Sequence, residues 1–136
     1  MTEAQSEHQP LSPREKARIV IAAALERKAE RPVALDVSGL TSFSEVFVIL
    51  GGRSDRQVRA IADAVVRALK QHGEAPLGVE GMDEGHWVLI DANDVVCHVF
   101  DEETRERYDL ERLWSDATPI VFEEVAIAAE DGEPAS

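Results

Sequence analysis

The sequence holds a single cysteine, Cys97, among 136 residues. One cysteine excludes a disulfide framework and a cysteine-built zinc site. Basic side chains are scarce too: 14 Lys and Arg stand against 27 Asp and Glu, for a net charge of −13. Non-specific nucleic-acid binding draws its energy from Lys and Arg displacing phosphate counterions, so this balance argues against it. No apolar run approaches the ~20 residues that span a bilayer, which excludes a membrane span. Met1-Thr2-Glu3-Ala4-Gln5 lacks the basic-then-apolar pattern of a secretory signal, so a cytoplasmic location is expected. Aromatics are 5% of the chain. Hydrophobic residues as a whole reach 44%, too many for a disordered chain and enough for one core in one domain.

The charge is unevenly placed. Residues 1–32 are net +1, residues 33–120 net −9 and residues 121–136 net −5. The stretch 81–116 alone carries 11 acids and 3 bases. Such a field keeps a protein soluble; it also suits docking on a basic protein.

Residues 1–11 are polar and read as a flexible arm. Ser12-Pro13-Arg14-Glu15 is a helix start, with a serine cap, a proline at the first position and Glu15 completing a capping box. Ala17, Val20, Ile21, Ala24, Leu25 and Lys28 share one mostly apolar stripe of a helix running to about Ala29, and Pro32 ends it. Val33 to Val37 reads as a strand. Val46 to Leu50, apolar throughout and followed by Gly51-Gly52, reads as a central strand buried on both faces. Ser54-Asp55-Arg56-Gln57 repeats the capping signal before a helix over 55–71, and Gly73 supplies its stop. Leu77 to Glu80 reads as a short edge strand. Trp87 to Asp91 and Val95 to Phe100, joined by Ala92-Asn93-Asp94, form a hairpin. Acids at 101–103 favour a helix start, and 108–114 has the spacing of a last short helix. The tail beyond Pro119 is expected to be mobile.

A helix between two strands implies a crossover to a parallel strand, to which the hairpin adds antiparallel ones. The expected architecture is therefore α/β. It is a single compact domain over residues 12–119, with a mixed, mostly five-stranded sheet flanked by helices and an acidic tail over 120–136.

Little in this chain has the spacing of catalytic chemistry. His8, His72, His86 and His98 have no metal-ligand spacing, and Cys97 reads as a core residue. Gly51-Gly52-Arg53-Ser54, between a strand and a helix, could hold an anion on free amides. That keeps a nucleotidyltransferase-like, nucleotide-binding enzyme as an alternative. Such chemistry also needs adjacent acids for a metal; Glu80 and Asp91 are apart, and Asp91 and Asp94 flank a turn. No metal or cofactor is expected.

The hairpin says more. Alternation puts Trp87, Leu89 and Asp91 on one face, with Val96, His98 and Phe100 sharing a face of the partner strand. If the helix over 13–29 covers that face, it is core. If it does not, the face is an apolar patch rimmed by Glu80, Asp91 and Asp94, the composition of a protein-binding hot spot. Tyr108, with its polar tip, is a surface candidate. Arg105 could anchor a partner or pair with Glu103 or Glu111. Leu113 and Trp114 are expected to dock the last helix on the sheet.

Taken in order, these residues resemble the ribosomal silencing factor, or Iojap-like, family. The matching pieces are Phe47-Val48-Ile49 with Gly52-x-Ser54, then Gln57-Val58 and Ala60-Ile61-Ala62-Asp63. Gly78-Val79-Glu80-Gly81, Trp87-Val88-Leu89-Ile90-Asp91 and Asp94-Val95-Val96-x-His98-Val99-Phe100 follow. Glu103-x-Arg105-x-x-Tyr108-x-Leu110-Glu111-x-Leu113-Trp114 closes a match over about residues 15–117. Glu45-Val46, Asn93 and Cys97 depart from the family pattern; Asn93 keeps the positive φ that its turn needs.

The resemblance implies a non-catalytic protein whose sheet is like a minimal nucleotidyltransferase fold. It implies docking on ribosomal protein fourteen of the large subunit, blocking small-subunit joining when nutrients are short. It shifts Trp87 and its neighbours from core toward interface. The expected contact set is Glu80, Trp87, Leu89, Asp91, Asp94, His98, Phe100, Arg105 and Tyr108. A homodimer through the exposed hairpin stays open beside it.

Overall fold

The computed structural model describes residues 10–123. Most of the expected flexible arm and mobile tail therefore lie outside the described residues.

The first capping box closes in full: Ser12 accepts from the Glu15 amide while the Glu15 carboxylate takes the Ser12 amide. It starts α1, Pro13–Glu26, which ends at Arg27, just before Lys28 turns the chain with a φ of 63°. β1 is Glu30–Asp36 and β2 is Val46–Gly52. Ser54 caps α2, Asp55–Gln71, by accepting from the Gln57 amide. This second box closes only halfway, because the Gln57 side chain takes the amide of Arg53 and donates to the carbonyls of Arg27 and Lys28. β3 is Gly78–Glu80, β4 is Trp87–Ala92 and β5 is Val95–Asp101. Asn93 turns the hairpin at φ 74°, its amide held by the Asp91 carboxylate. α3, Glu102–Tyr108, α4, Leu110–Leu113, and β6, Thr118–Ile120, complete the chain.

The strand order is β3-β4-β5-β2-β1-β6. β2 and β5 run parallel at the centre and every other pair is antiparallel. The crossover thus reaches β5, the second strand of the hairpin, and the sheet has six strands where five were expected. The added strand, β6, pairs with β1 through Pro119, which faces Leu35. Proline lacks a ladder donor and is tolerated at an edge, so its presence hid a strand that the edge position permits.

α1 and α2 both pack on one face. There Val88, Ile90, Val95, Cys97 and Val99 meet Val20, Ile21, Ala24, Ile61, Val65 and Leu69 in a continuous core. Burial raises the Cys97 thiol far above its ordinary pKa, which suits an inert packing group. Lys16 of α1 is also buried, 4% exposed. Its ammonium lies 2.7 Å from Asp94, 3.1 Å from Glu74 and 2.9 Å from the Ala92 carbonyl, tying α1 to the hairpin turn. No helix among the described residues is long and apolar enough to cross a membrane.

Candidate functional site

Because both long helices occupy one face, the hairpin's Trp87 face lies on the other. The register sets its residues in rows. Glu30, Gly51, Phe100 and Trp87 form one row; Val33, Ile49, His98, Leu89 and Glu80 form the next. Leu35, Phe47, Val96, Asp91 and Gly78 form a third. α3 packs on β5 and β2, and Leu110 and Trp114 close over Phe47 and its neighbours. Toward β3 and β4 the face stays open: Leu89, Asp91 and Val96 are half-buried and Glu80 is exposed.

A chain of rings runs across this face. Tyr108, at the end of α3 and 50% exposed, lies 4.8 Å from Trp87 between centroids. Trp87 stands 5.0 Å from Phe100, which stacks on His98 at 6.1 Å. His98 meets Phe47 edge-on at 5.3 Å, and Phe47 meets Trp114 at 4.9 Å. The indole Nε1–H of Trp87 donates to His98 Nδ1 at 3.2 Å. An accepting Nδ1 puts the imidazole proton on Nε2, which has no hydrogen-bond partner among the described residues. Burial lowers the His98 pKa to about 4, so the ring is neutral near pH 7 and able to accept. His98 thereby holds the Trp87 indole in place.

Several expected contact residues are placed otherwise. Phe100 is fully buried and His98 is 6% exposed, so both lie behind Trp87 and support it without reaching the surface. Arg105 is 3% exposed. It donates to the carbonyls of Glu30 and Arg31, at 3.2 and 2.7 Å, and to the Glu111 carboxylate at 2.7 Å, clamping α3 to β1. Of its two expected acidic mates it takes Glu111, while Glu103 sits 3.5 Å from Arg107. Asp94 points to Lys16 on the opposite side of the sheet and does not rim the patch. Trp87, Leu89, Asp91, Glu80 and Tyr108 are left together on the open face.

Sequence reasoning missed Phe47 in this ring chain, although strand alternation sets it two residues from Ile49 on the same face. It also misplaced Leu113, which is 72% exposed and shares a shallow groove with Tyr108, Arg107 and Arg112. Asp109 takes a left-handed conformation, φ 49°, between α3 and α4 and resets the helical phase. Leu110 then docks in place of Leu113, while Trp114 docks on the sheet as expected.

The Gly51–Ser54 turn is used for packing. A Cβ on Gly52 would come within 3.0 Å of Val58, and one on Gly51 within 3.1 Å of the Arg105 guanidinium. Asp91 and Asp94 serve Asn93 and Lys16 and do not converge. No three metal-ligating side chains gather among the described residues.

One titrating pair borders the site. His86 Nδ1 lies 2.7 Å from Asp101, whose other oxygen caps α3 through the Thr104 amide. The Asp101 hydrogen bond raises His86 above its ordinary 6.5 despite some burial, with Glu84 and Asp55 adding to it. Burial pushes Asp101 up, but the bonds from Thr104 and His86 hold it below 3.8. The Asp101 contribution to stability is present above pH 3.8 and fades as pH falls through its lowered value. The His86 contribution is present below pH 6.5 and fades as pH rises through its raised value. The urea midpoint of wild type should therefore exceed that of His86→Gln most between these limits, and the gap should narrow at higher pH. A gap that stays unchanged as pH rises well above 6.5 would rule the pair out.

Over residues 10–136 the chain matches the family described as "Ribosomal silencing factor during starvation". It is 37% identical over 115 residues to a ribosomal silencing factor of Halalkalibacterium halodurans, a match covering 85% of this chain and 98% of that protein. A Bacillus subtilis protein of the same name is 42% identical over 100 residues, 74% of this chain and 85% of that protein. A crystal structure of a Chromobacterium violaceum protein is similar at a TM-score of 0.76 and 37% identity, over 83% of this chain and 93% of that one.

Proposed function

Because the chain belongs to the ribosomal silencing factor family, we propose that its open Trp87 face docks on ribosomal protein fourteen of the large subunit. Membership carries a ribosome-associated role in silencing translation. The partner and the means of silencing are the finer reading. One observation carries it: the half-buried Trp87, flanked by exposed Tyr108 and half-buried Leu89, lies on a sheet face that the long helices leave uncovered. Aromatic anchors of this kind dominate protein interfaces once water is expelled around them. Glu80 and Asp91 beside them fit a basic ribosomal protein.

Inhibition on this reading is by occupancy. A 15.0 kDa body seated on the joining face of the large subunit keeps the small subunit from closing on it, in the cytoplasm and under nutrient limitation. No bond is made or broken. Sedimentation with separated subunits tests the class. The protein should travel with free large subunits and deplete joined ribosomes; unchanged joining at saturating protein would refute the reading.

Acidic steering sets a further expectation. Association with the purified ribosomal protein should slow as salt rises, because screening shortens the reach of the acidic field. An on-rate indifferent to salt would leave the acidic rim without a role in encounter.

A further inference from the structure

The cations of this acidic chain are not spread evenly. Lys16 and Arg105 are buried in internal bonds. Arg14, Arg59, Arg67 and Arg107 are each ion-paired to an acid. The side chains of Arg27, Lys28, Arg31, Arg56, Lys70 and Arg112 are exposed, and among the described residues no ion pair or hydrogen bond engages any of these six side chains. Four of them, Arg27, Lys28, Arg31 and Arg56, lie at one corner, where the end of α1 and the start of β1 meet the start of α2, while Lys70 is in the last turn of α2 and Arg112 in α4. Gln57 stitches that corner together by donating to the carbonyls of Arg27 and Lys28 while accepting from the Arg53 amide.

Acids are present there but occupied or few. Glu30 is taken by Arg53, and Asp55 by Arg59. Glu26 is exposed, exposed Glu102 acts on Arg53, and Glu111 feels the charge of Arg31. The balance is a positive corner on a protein of net charge −13. Two of its cations, Lys28 and Arg31, sit at positive φ, 63° and 47°, a backbone setting uncommon for such side chains.

The chemistry of the corner differs from that of the Trp87 face. None of the exposed large apolar residues falls within 26–31 or 53–57. A protein interface needs desolvated anchors, which this corner lacks. Phosphate contacts need only exposed cations, and arginine suits phosphate because its planar fork can engage two oxygens. Glu30 at the corner and Trp87 share one row of the sheet, three strand spacings apart. At ~4.8 Å per strand that is about 14 Å, close enough for one docked orientation to use both.

We propose that this corner is a second contact surface, which seats on ribosomal RNA phosphates while the Trp87 face engages ribosomal protein. The inference rests on the ribosome-docking reading above. The acidic remainder repels RNA, so the corner is where a polyanion can approach; charge thereby sets the orientation of the bound factor as well as its affinity.

The test is the full chain carrying Arg27→Gln, Lys28→Gln and Arg56→Gln together, at exposed sites where folding is little affected. Binding is measured to isolated large subunits over a salt series and, separately, to purified ribosomal protein fourteen. The triple variant should keep its affinity for the purified protein and lose at least tenfold on subunits. Its logarithmic salt slope on subunits should become shallower by roughly 0.7 to 0.9 for each phosphate no longer engaged. A photo-cross-linker at Arg56 should give an RNase-sensitive adduct with the subunit. Unchanged binding to subunits overturns the proposal, as does an RNase-resistant adduct, which would mark an acidic protein neighbour. Equal losses on subunit and purified protein would merge the corner with the first interface and also overturn it. Failure of the wild type itself to bind subunits is a distinct result and removes the docking reading with it.

Discussion

Replacing Trp87 by alanine should weaken binding to ribosomal protein fourteen by about 2 kcal/mol or more, roughly 30-fold in Kd. The indole is half-buried against Phe100 and Tyr108 and tethered through Nε1 to His98, so it is pre-ordered in the free protein. A side chain already fixed loses little freedom on binding, which is what lets an aromatic act as an anchor. Truncation also opens a gap over Phe100, so the alanine variant loses some stability. Tyr108→Ala separates the two effects. Its ring is 50% exposed and should cost binding with little loss of fold. Affinity for the purified protein, measured by calorimetry beside a urea denaturation curve, reads both quantities. Wild-type affinity in both variants would remove the ring pair from the interface.

Lys16→Met should destabilise the domain by about 3 kcal/mol, the lower end of the range for breaking a buried ion pair from one side. The low end is apt because Asp94 and Glu74 keep some exposure to water. With the ammonium gone, two carboxylates face each other beside the Ala92 carbonyl, and α1 loses its tie to the β4–β5 turn. Burial works to lower the Lys16 pKa, but Asp94 and Glu74 raise it further, above 10.5. The wild-type contribution is therefore present below pH 10.5 and is lost only as pH rises through the raised value. Adding Glu74→Gln and Asp94→Asn to Lys16→Met should recover part of the loss. Denaturation midpoints for these chains decide this; equal stability of wild type and Lys16→Met would show that the buried cluster contributes nothing net.

Features set by neighbouring residues are legible in the sequence itself. The Ser12 box, the Asn93 turn and the alternation of Trp87, Leu89 and Asp91 each depend on residues a few positions apart. Which hairpin face lies open is not legible there, because it depends on where α1 packs after the whole sheet has formed. The two buried cations are the sharper case. Lys16 meets Asp94 78 positions away, and Arg105 meets the Glu30 carbonyl 75 positions away. In sequence each is one charge among many, and nothing local separates a clamp from a solvated side chain. Arg105 consequently reads as either a partner's anchor or one half of a local ion pair, and its clamp on the β1 carbonyls shows only in the fold. Pro119 and Asp109 mislead for a different reason. Each breaks a pattern locally, yet the fold uses the break, one at a sheet edge and one between two short helices.

The parallel pair at the centre of the sheet has a kinetic consequence. Val46 is opposite Val95, 49 positions later, and β1 is completed at its other edge only by β6. Closing so long a loop costs chain entropy before the central strands repay it, which slows folding relative to a fold of local contacts. The α1–β1–β2–α2 half has no partner for the inner edge of β2 until residues 95–101 exist. A nascent chain that stops short of them leaves that edge unpaired and open to other chains. The silencer becomes competent late in its own synthesis, when nearly the whole domain is available to fold in one step.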